Sequence, residues 1–197
     1  MTGPVIPIRA GSGPDPRRLG AEDWARGSTF LEFVDASGAL RPRIAAAFRS
    51  AAPSPTDLAV VAAVKRTIRI AAFVARGDFE AAANAAHAEK LVAAGRHLWL
   101  RVFDPEASAD LTARFLPGVD PVSSQFAFFV EDGRACARWG PRPAALRARC
   151  DAVAPHLQAE VRDAYYASGD GRDLAVEWCA LLRDCIGGAP LAPNPGH

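Results

Sequence analysis

Cysteine gives this sequence its widest choice of chemistry, because a thiolate can serve as a nucleophile, a redox centre or a metal ligand. The chain of 197 residues has four: Cys136, Cys150, Cys179 and Cys185. None of them forms a Cys-x-x-Cys pair, and their spacing matches neither a zinc site nor a disulfide framework. The last two lie six positions apart on one predicted helix, a rise of about 9 Å, so they cannot bridge without unwinding it. We therefore expect four reduced thiols.

Cys136 is the cysteine with the most reactive predicted surroundings. In a regular strand it shares one face with Arg134 and Arg138, because side chains alternate between faces. Neighbouring guanidinium groups would lower the pKa of its thiol and favour the thiolate. A pairing with Cys150, on the helix that follows, is conceivable. The alternative is a small, half-buried residue that only fills space.

The segment Arg76-Gly77-Asp78-Phe79 lies where a strand ends and a helix begins. Arg76 would place a positive charge beside a helix N-terminus, which attracts anions through its free N–H groups and its dipole. In that interpretation Asp78 and Phe79 form one wall of a binding groove. The simpler interpretation is that Asp78 only caps the helix while Arg76 points into solvent.

The segment from Trp139 to Pro143 reads WGPRP and follows a predicted hairpin. Arg142 could contact a ligand there, with Trp139 beside it. The segment could equally be architectural, since Gly140 permits a tight turn, Pro143 suits the first position of a helix and a tryptophan ring can cap a core.

Other kinds of site are not indicated. His87 and His156 have no second ligand at the spacing of a metal site, and the sequence contains no phosphate-binding loop, GxSxG elbow or zinc motif. We therefore expect neither a metal nor a cofactor. A formal net charge of +1 predicts no general attraction to nucleic acid or to an anionic membrane. The first twenty residues lack the apolar region of a signal peptide, so a cytoplasmic location is expected.

The chain predicts alternating helices and strands, with Ser28, Thr56 and Asp78 as helix caps. Three short helices come first, then a core that contains four strands, and a Pro155 that interrupts or restarts a long helical pattern. Asp132-Gly133 marks a hairpin between the last two strands. The predicted helices are 28–34, 42–51, 57–66, 79–93, most of 104–116, the run from 143, and the run after 171; the predicted strands are 67–74, 97–103, 125–130 and 134–139.

This order is βαβαββα and predicts a four-stranded mixed sheet with helices on both faces. It is the minimal thioredoxin-like arrangement, although ferredoxin-like folds also combine hairpins with crossovers. One domain is expected at 21–186, between a flexible segment at 1–20 and a flexible tail at 187–197. Within the domain we expect a helical preface at about 28–66, the core at about 67–154 and C-terminal helices at about 155–186.

The WGPRP segment resembles a bacterial family of thioredoxin-like proteins that carry a helical preface and a WCGDC-type active site. The resemblance spans roughly residues 28 to 185. It also includes TFLEFV from Thr29 with the helices up to Arg66, then Tyr165-Tyr166-Ala167, Gly171-Arg172, and Glu177 before Leu181-Leu182. The resemblance implies a thioredoxin-like core with an N-terminal helical extension and C-terminal helices.

The sequence departs from this family at the residues that would carry the chemistry. WCGDC corresponds here to Ala75–Phe79, so that Arg76 and Phe79 occupy the two cysteine positions. Ser124, with Ser123 beside it, falls where the family has a cis-proline before the third strand. Thiol–disulfide exchange needs a thiolate and a second thiol to resolve the mixed disulfide, and neither substitute supplies one. The dithiol mechanism is therefore excluded at this position.

Three functional hypotheses follow. The leading one is a non-catalytic thioredoxin-like module that binds a protein or peptide in the groove between the Arg76–Phe79 turn and the Ser123-Ser124 loop. The second is a thiol-dependent oxidoreductase or redox sensor that uses a relocated cysteine, with Cys136 as the first candidate. The third is a structural subunit in which the helical preface mediates self-association.

Overall fold

The protein is a mixed α/β structure built on one four-stranded sheet, as the sequence predicts. The computed structural model describes residues 18–118, 125–168 and 171–187. The strands are β1 (Ile68–Phe73), β2 (Leu98–Phe103), β3 (Gln125–Val130) and β4 (Ala135–Trp139). The helices are α1 (Ala21–Ala25), α2 (Phe30–Ala36), α3 (Arg41–Ser50), α4 (Pro55–Ala63), α5 (Phe79–Val92), α6 (Ala109–Phe115), α7 (Ala144–Asp151), α8 (Gln158–Ser168) and α9 (Arg172–Gly187), with 3-10 turns at Gly38–Leu40 and Pro155–Leu157.

The sheet has the strand order β2-β1-β3-β4. Strands β1 and β2 are parallel, and α5 connects them, as parallel strands require a crossover. Strand β3 runs antiparallel to both of its neighbours. Because β1 and β2 are parallel, their carboxyl ends lie at the same edge of the sheet, where α5 begins.

Helices cover both faces of the sheet. One face packs against α3, α4, α5, α7 and α9 in the larger core, which is dominated by alanine along α5. The other face carries a smaller core in which Phe73, Phe103 and Phe129 pack against α6 and Leu19. Leu19 falls in the segment expected to be flexible, yet it is buried and donates its backbone N–H to the carbonyl of Gly133.

Two helices begin at residues other than the predicted caps. Thr29, not Ser28, caps α2, and Ser54, not Thr56, caps α4. In both cases an acidic residue three positions later, Glu32 or Asp57, accepts a hydrogen bond from the backbone N–H of the cap. Such reciprocal capping boxes satisfy two free N–H groups at once, so they prevail over a neighbouring hydroxyl. The predicted cap of α5 by Asp78 and the restart at Pro155 are confirmed.

Candidate functional site

A cavity of about 150 Å³ opens at the carboxyl ends of β1 and β2, and we call it the strand-end cleft. The buried residues Val74, Ala82 and Val102 form its floor. The preface forms one side, and the turn between β1 and α5 forms the other. The remaining lining residues are Ser28, Phe33, Ala36, Ser37 and Leu40 on the preface side, Ala75 to Asp78 in the turn, and Asp104.

The rim of the strand-end cleft is charged. Arg76 extends into solvent with 88% of its side chain exposed and pairs with Asp104, at 2.9 Å between Nε and Oδ2. Asp78 is occupied as the cap of α5, because its Oδ1 accepts the N–H of Ala81 at 3.1 Å. Gly77 adopts a φ of +85°, which favours glycine in the turn between them. Among the described residues that line the cleft there is no cysteine and no histidine.

Phe79 does not line this cleft but faces a second, more open recess of about 260 Å³ between α3 and α8. The guanidinium of Arg43 lies over its ring at 3.6 Å from the centroid, and Tyr166 meets it edge-on. Arg43 also approaches Asp163 at 3.9 Å. The turn that the sequence singled out thus contributes to two separate recesses, with Arg76 and Phe79 on different ones.

Arg142 is engaged inside the protein. Its Nε lies 2.7 Å from Oε1 of Glu80 in the first turn of α5, and Arg162 approaches the same carboxylate at 3.4 Å. Burial raises the pKa of Glu80, while the two arginines act in the opposite direction. Arg142 therefore ties the WGPRP segment to α5, and only 24% of its side chain is exposed for any ligand.

Asn84 makes a second attachment between the same segments. It is fully buried, donates to the carbonyl of Pro141 at 3.1 Å, and accepts the hydroxyl of Tyr166 at 3.0 Å. Burial is the main cause of the raised pKa of that tyrosine. Glu80 and Asn84, both missed in the sequence, are four apart and so share one face of an otherwise alanine-rich helix. This four-residue spacing of polar residues in an alanine-rich helix was the sequence feature that could have identified them.

Trp139 belongs to the core, with 7% of its surface exposed. Its ring packs edge-on against Phe126 and Trp178, and its indole Nε1 donates to Oε2 of Glu177 at 2.5 Å. The other oxygen of Glu177 accepts the backbone N–H of Ala144, at the start of α7, at 2.7 Å. One carboxylate on α9 therefore holds the end of β4 and the start of the next helix together.

The cysteines differ from the expectation of four reduced thiols, because Cys136 and Cys185 are joined as a disulfide. The regular alternation assumed for β4 fails at Cys136. In the ladder Phe128 pairs with Ala137 and Phe129 with Ala135, so Cys136 is the extra residue of a β-bulge. A bulge redirects a side chain, and here it turns the sulfur towards α9.

Two cysteines remain free within the part of the chain that the structure describes. Cys150, the partner considered for Cys136, is buried on α7 as a free thiol. Cys179 is buried on α9, and burial raises the pKa of its thiol to about 12. Both are buried, whereas a reactive thiol must be accessible to its reaction partner.

Other residues singled out in the sequence lie elsewhere. His87 is buried in α5, where its ring lies beside Tyr166 and close to Gly171. His156 is exposed in the 3-10 turn before α8. Ser123 and Ser124, the other side of the predicted groove, lie outside the described residues. Across residues 18–118, 125–168 and 171–187, no three histidine, cysteine or acidic side chains form a group that could hold a metal ion.

Comparisons with known proteins identify the fold alone. No family model and no curated protein sequence matches the chain. A crystal structure of a protein of unknown function from Pseudomonas aeruginosa is similar, with a TM-score of 0.63, 17% identity, and 83% of this chain and 94% of that one covered. An HIV epitope scaffold gives a TM-score of 0.66 at 18% identity, with 86% and 98% covered. These likenesses extend over nearly the whole length of both relatives.

None of the helices in the described parts of the chain has the length and apolarity that a membrane span requires.

Proposed function

We propose that the protein is a non-catalytic thioredoxin-like module that binds a protein or peptide partner through the strand-end cleft. The observation that carries the proposal is the position of this cavity. In open α/β sheets, ligands bind outside the carboxyl ends of parallel strands. The cleft lies at those ends of β1 and β2, beside the turn that opens α5.

The thioredoxin-like part of the proposal is supported by topology together with the sequence resemblance. The core runs βαβαββα with β1 and β2 parallel and the last two strands as a hairpin. Arg76 and Phe79 stand at the two positions of the cysteines in WCGDC. A site with this scaffold and without those thiols retains a surface for binding but not the means for thiol–disulfide exchange.

The size of the strand-end cleft favours a side chain of a larger partner over a cofactor. Sites for small molecules and cofactors usually enclose about 300–1,000 Å³. A cavity of about 150 Å³ instead resembles those that hold a single benzene molecule. One leucine or phenylalanine side chain has suitable dimensions, and the buried valines of the floor offer it an apolar surface.

The charged rim favours an acidic residue next to that apolar side chain. In the ion pair between Arg76 and Asp104 the arginine side chain is 88% exposed and the aspartate 26%, and pairs at the surface contribute only about 0–1 kcal/mol. A carboxylate of the partner can therefore replace Asp104 at little cost. The proposed ligand is thus a peptide segment with an apolar residue flanked by aspartate or glutamate.

The test is selection from a random peptide library displayed on phage, with the full-length protein as the target. Selected peptides are then measured by fluorescence anisotropy against Ala36→Phe, which places a ring at the mouth of the cleft. Ala39→Phe is the matched control, since Ala39 is also exposed and lies three residues away but does not line the cleft. Burying an apolar side chain contributes about 1.5–3 kcal/mol, so we expect Ala36→Phe to weaken binding by about 10-fold or more.

Two further variants locate the partner on the surface. Arg76→Glu should weaken the binding of acidic peptides several-fold. Phe79→Ala alters the second recess and should leave their binding unchanged. Selected peptides that bind wild type and Ala36→Phe equally would refute the assignment of the cleft. Sensitivity to Phe79→Ala alone would move the site to the recess between α3 and α8.

A further inference from the structure

We propose that Cys136 and Cys185 form an exchangeable redox pair that controls how firmly α9 is held against β4 and the WGPRP segment. The proposal is independent of peptide binding. Its first support is geometric, because the two Cα atoms lie 5.4 Å apart, within the range that a disulfide spans without movement of the backbone. The bulge directs the Cys136 side chain towards α9, whereas a regular strand would direct it to the opposite face of the sheet.

The two cysteines belong to a longer contact between β4 and α9. From Cys136 to Trp139 the strand advances by about 10 Å. From Cys185 back to Glu177 the helix spans eight residues, or about 12 Å. The disulfide therefore fixes one end of the contact, while the hydrogen bond from the Trp139 indole to Glu177 fixes the other. Loss of the disulfide removes one of these two attachments of β4 to α9 and leaves the hydrogen bond from Trp139 to Glu177 at the other end.

The exposure of the two cysteines determines which of them reacts first with an oxidant. Cys136 is partly exposed, whereas Cys185 is 1% exposed on the inner side of α9. The thiolate of Cys136 attacks a disulfide oxidant such as oxidised glutathione, forms a mixed disulfide and releases one glutathione thiolate. The thiolate of Cys185 then attacks the Cys136 sulfur and releases the second. In total two protein thiols give up two electrons and two protons, and one glutathione disulfide becomes two glutathione molecules.

The remaining cysteines serve as internal controls. Cys150 and Cys179 are buried, and both are free thiols in the structure. Glutathione disulfide should therefore leave them reduced. The structure predicts one bond out of the six pairings that four cysteines allow, so the position of the bond is a discriminating result.

The experiment equilibrates full-length wild-type protein with mixtures of reduced and oxidised glutathione, quenches with acid, and alkylates after denaturation. Peptide mass spectrometry should find Cys136 bonded to Cys185 under oxidising mixtures, and four alkylated cysteines under reducing ones. Because the bond closes a loop of 49 residues, the oxidised protein should melt about 10 °C higher. Hydrogen exchange at residues 139–144 should increase on reduction.

Variants separate the pair from general effects of oxidation. Cys136→Ser should melt like the reduced wild type and ignore glutathione disulfide, whereas Cys150→Ala should keep the full redox shift. A bond from Cys136 to Cys150, or four free thiols in every mixture, would overturn the pairing. A disulfide that reduced glutathione never opens would overturn its exchangeability, and unchanged exchange at residues 139–144 would overturn the coupling. Wild-type protein alone decides these outcomes, should a variant fail to fold.

Discussion

Replacement of Glu177 by alanine should destabilise the fold by about 3 kcal/mol. The side chain accepts two hydrogen bonds, from the indole of Trp139 at 2.5 Å and from the backbone of Ala144 at 2.7 Å. Hydrogen bonds to charged groups contribute about 1.5–3 kcal/mol each. The first should dominate, because Trp139 is buried and its N–H would lose its partner, whereas exposed Ala144 can turn to water.

The assay is urea denaturation followed by far-UV circular dichroism, so that altered tryptophan emission does not affect the readout. With a slope of about 2–3 kcal/mol per molar, the midpoint should fall by about 1 M. Val176→Ala is the matched control on the same helix, because Val176 is 57% exposed. Exposed substitutions of this kind usually stay within about 0.5 kcal/mol.

A conservative variant shows which property of Glu177 matters. Glu177→Gln keeps one carbonyl acceptor but presents an NH₂ group to the second donor, so an intermediate loss of about 1–2 kcal/mol is expected. If Glu177→Ala proves no less stable than Val176→Ala, the carboxylate does not hold the WGPRP segment and the attachment inferred here is wrong.

Two other perturbations test the turns and the buried charges. Gly133→Ala should destabilise the protein more than Gly77→Ala in the same urea assay. Both glycines have φ near +85°, where an alanine costs about 1–2 kcal/mol, but only at Gly133 would the added Cβ lie 2.5 Å from the Leu19 carbonyl oxygen. Equal losses would show that the Leu19 contact is not rigid. Burial raises the pKa of Glu89 to about 7, against an ordinary 4.5, so the folded protein keeps a proton that the unfolded chain releases and stability falls as pH rises between these values. Glu89→Gln should therefore gain about 1–2 kcal/mol at pH 8 and nothing at pH 4, and melting curves that shift equally at both values would contradict the assignment.

Local signals were sufficient to predict most elements. Strand β3 has the predicted bounds Gln125–Val130, and α5 begins after its predicted cap, Asp78. The misplaced starts of α2 and α4 were also recoverable, since Glu32 and Asp57 lie three residues after the true caps. Apolar periodicity and caps act over four residues or fewer, so the sequence displays them directly.

The candidate sites depend on contacts that no local pattern displays. Arg142 meets Glu80 across 62 residues, Cys136 meets Cys185 across 49, and the strand-end cleft needs the preface to pack beside the β1–α5 turn. The sequence by itself determined the order of the strands and helices of the core and the absence of a Cys-x-x-Cys pair. Only the tertiary structure decided which thiols pair, which arginine stays exposed and where a cavity opens. A single bulged residue in β4 reverses a side chain's direction, and its effect is set by the partner strand and the helix packed above it.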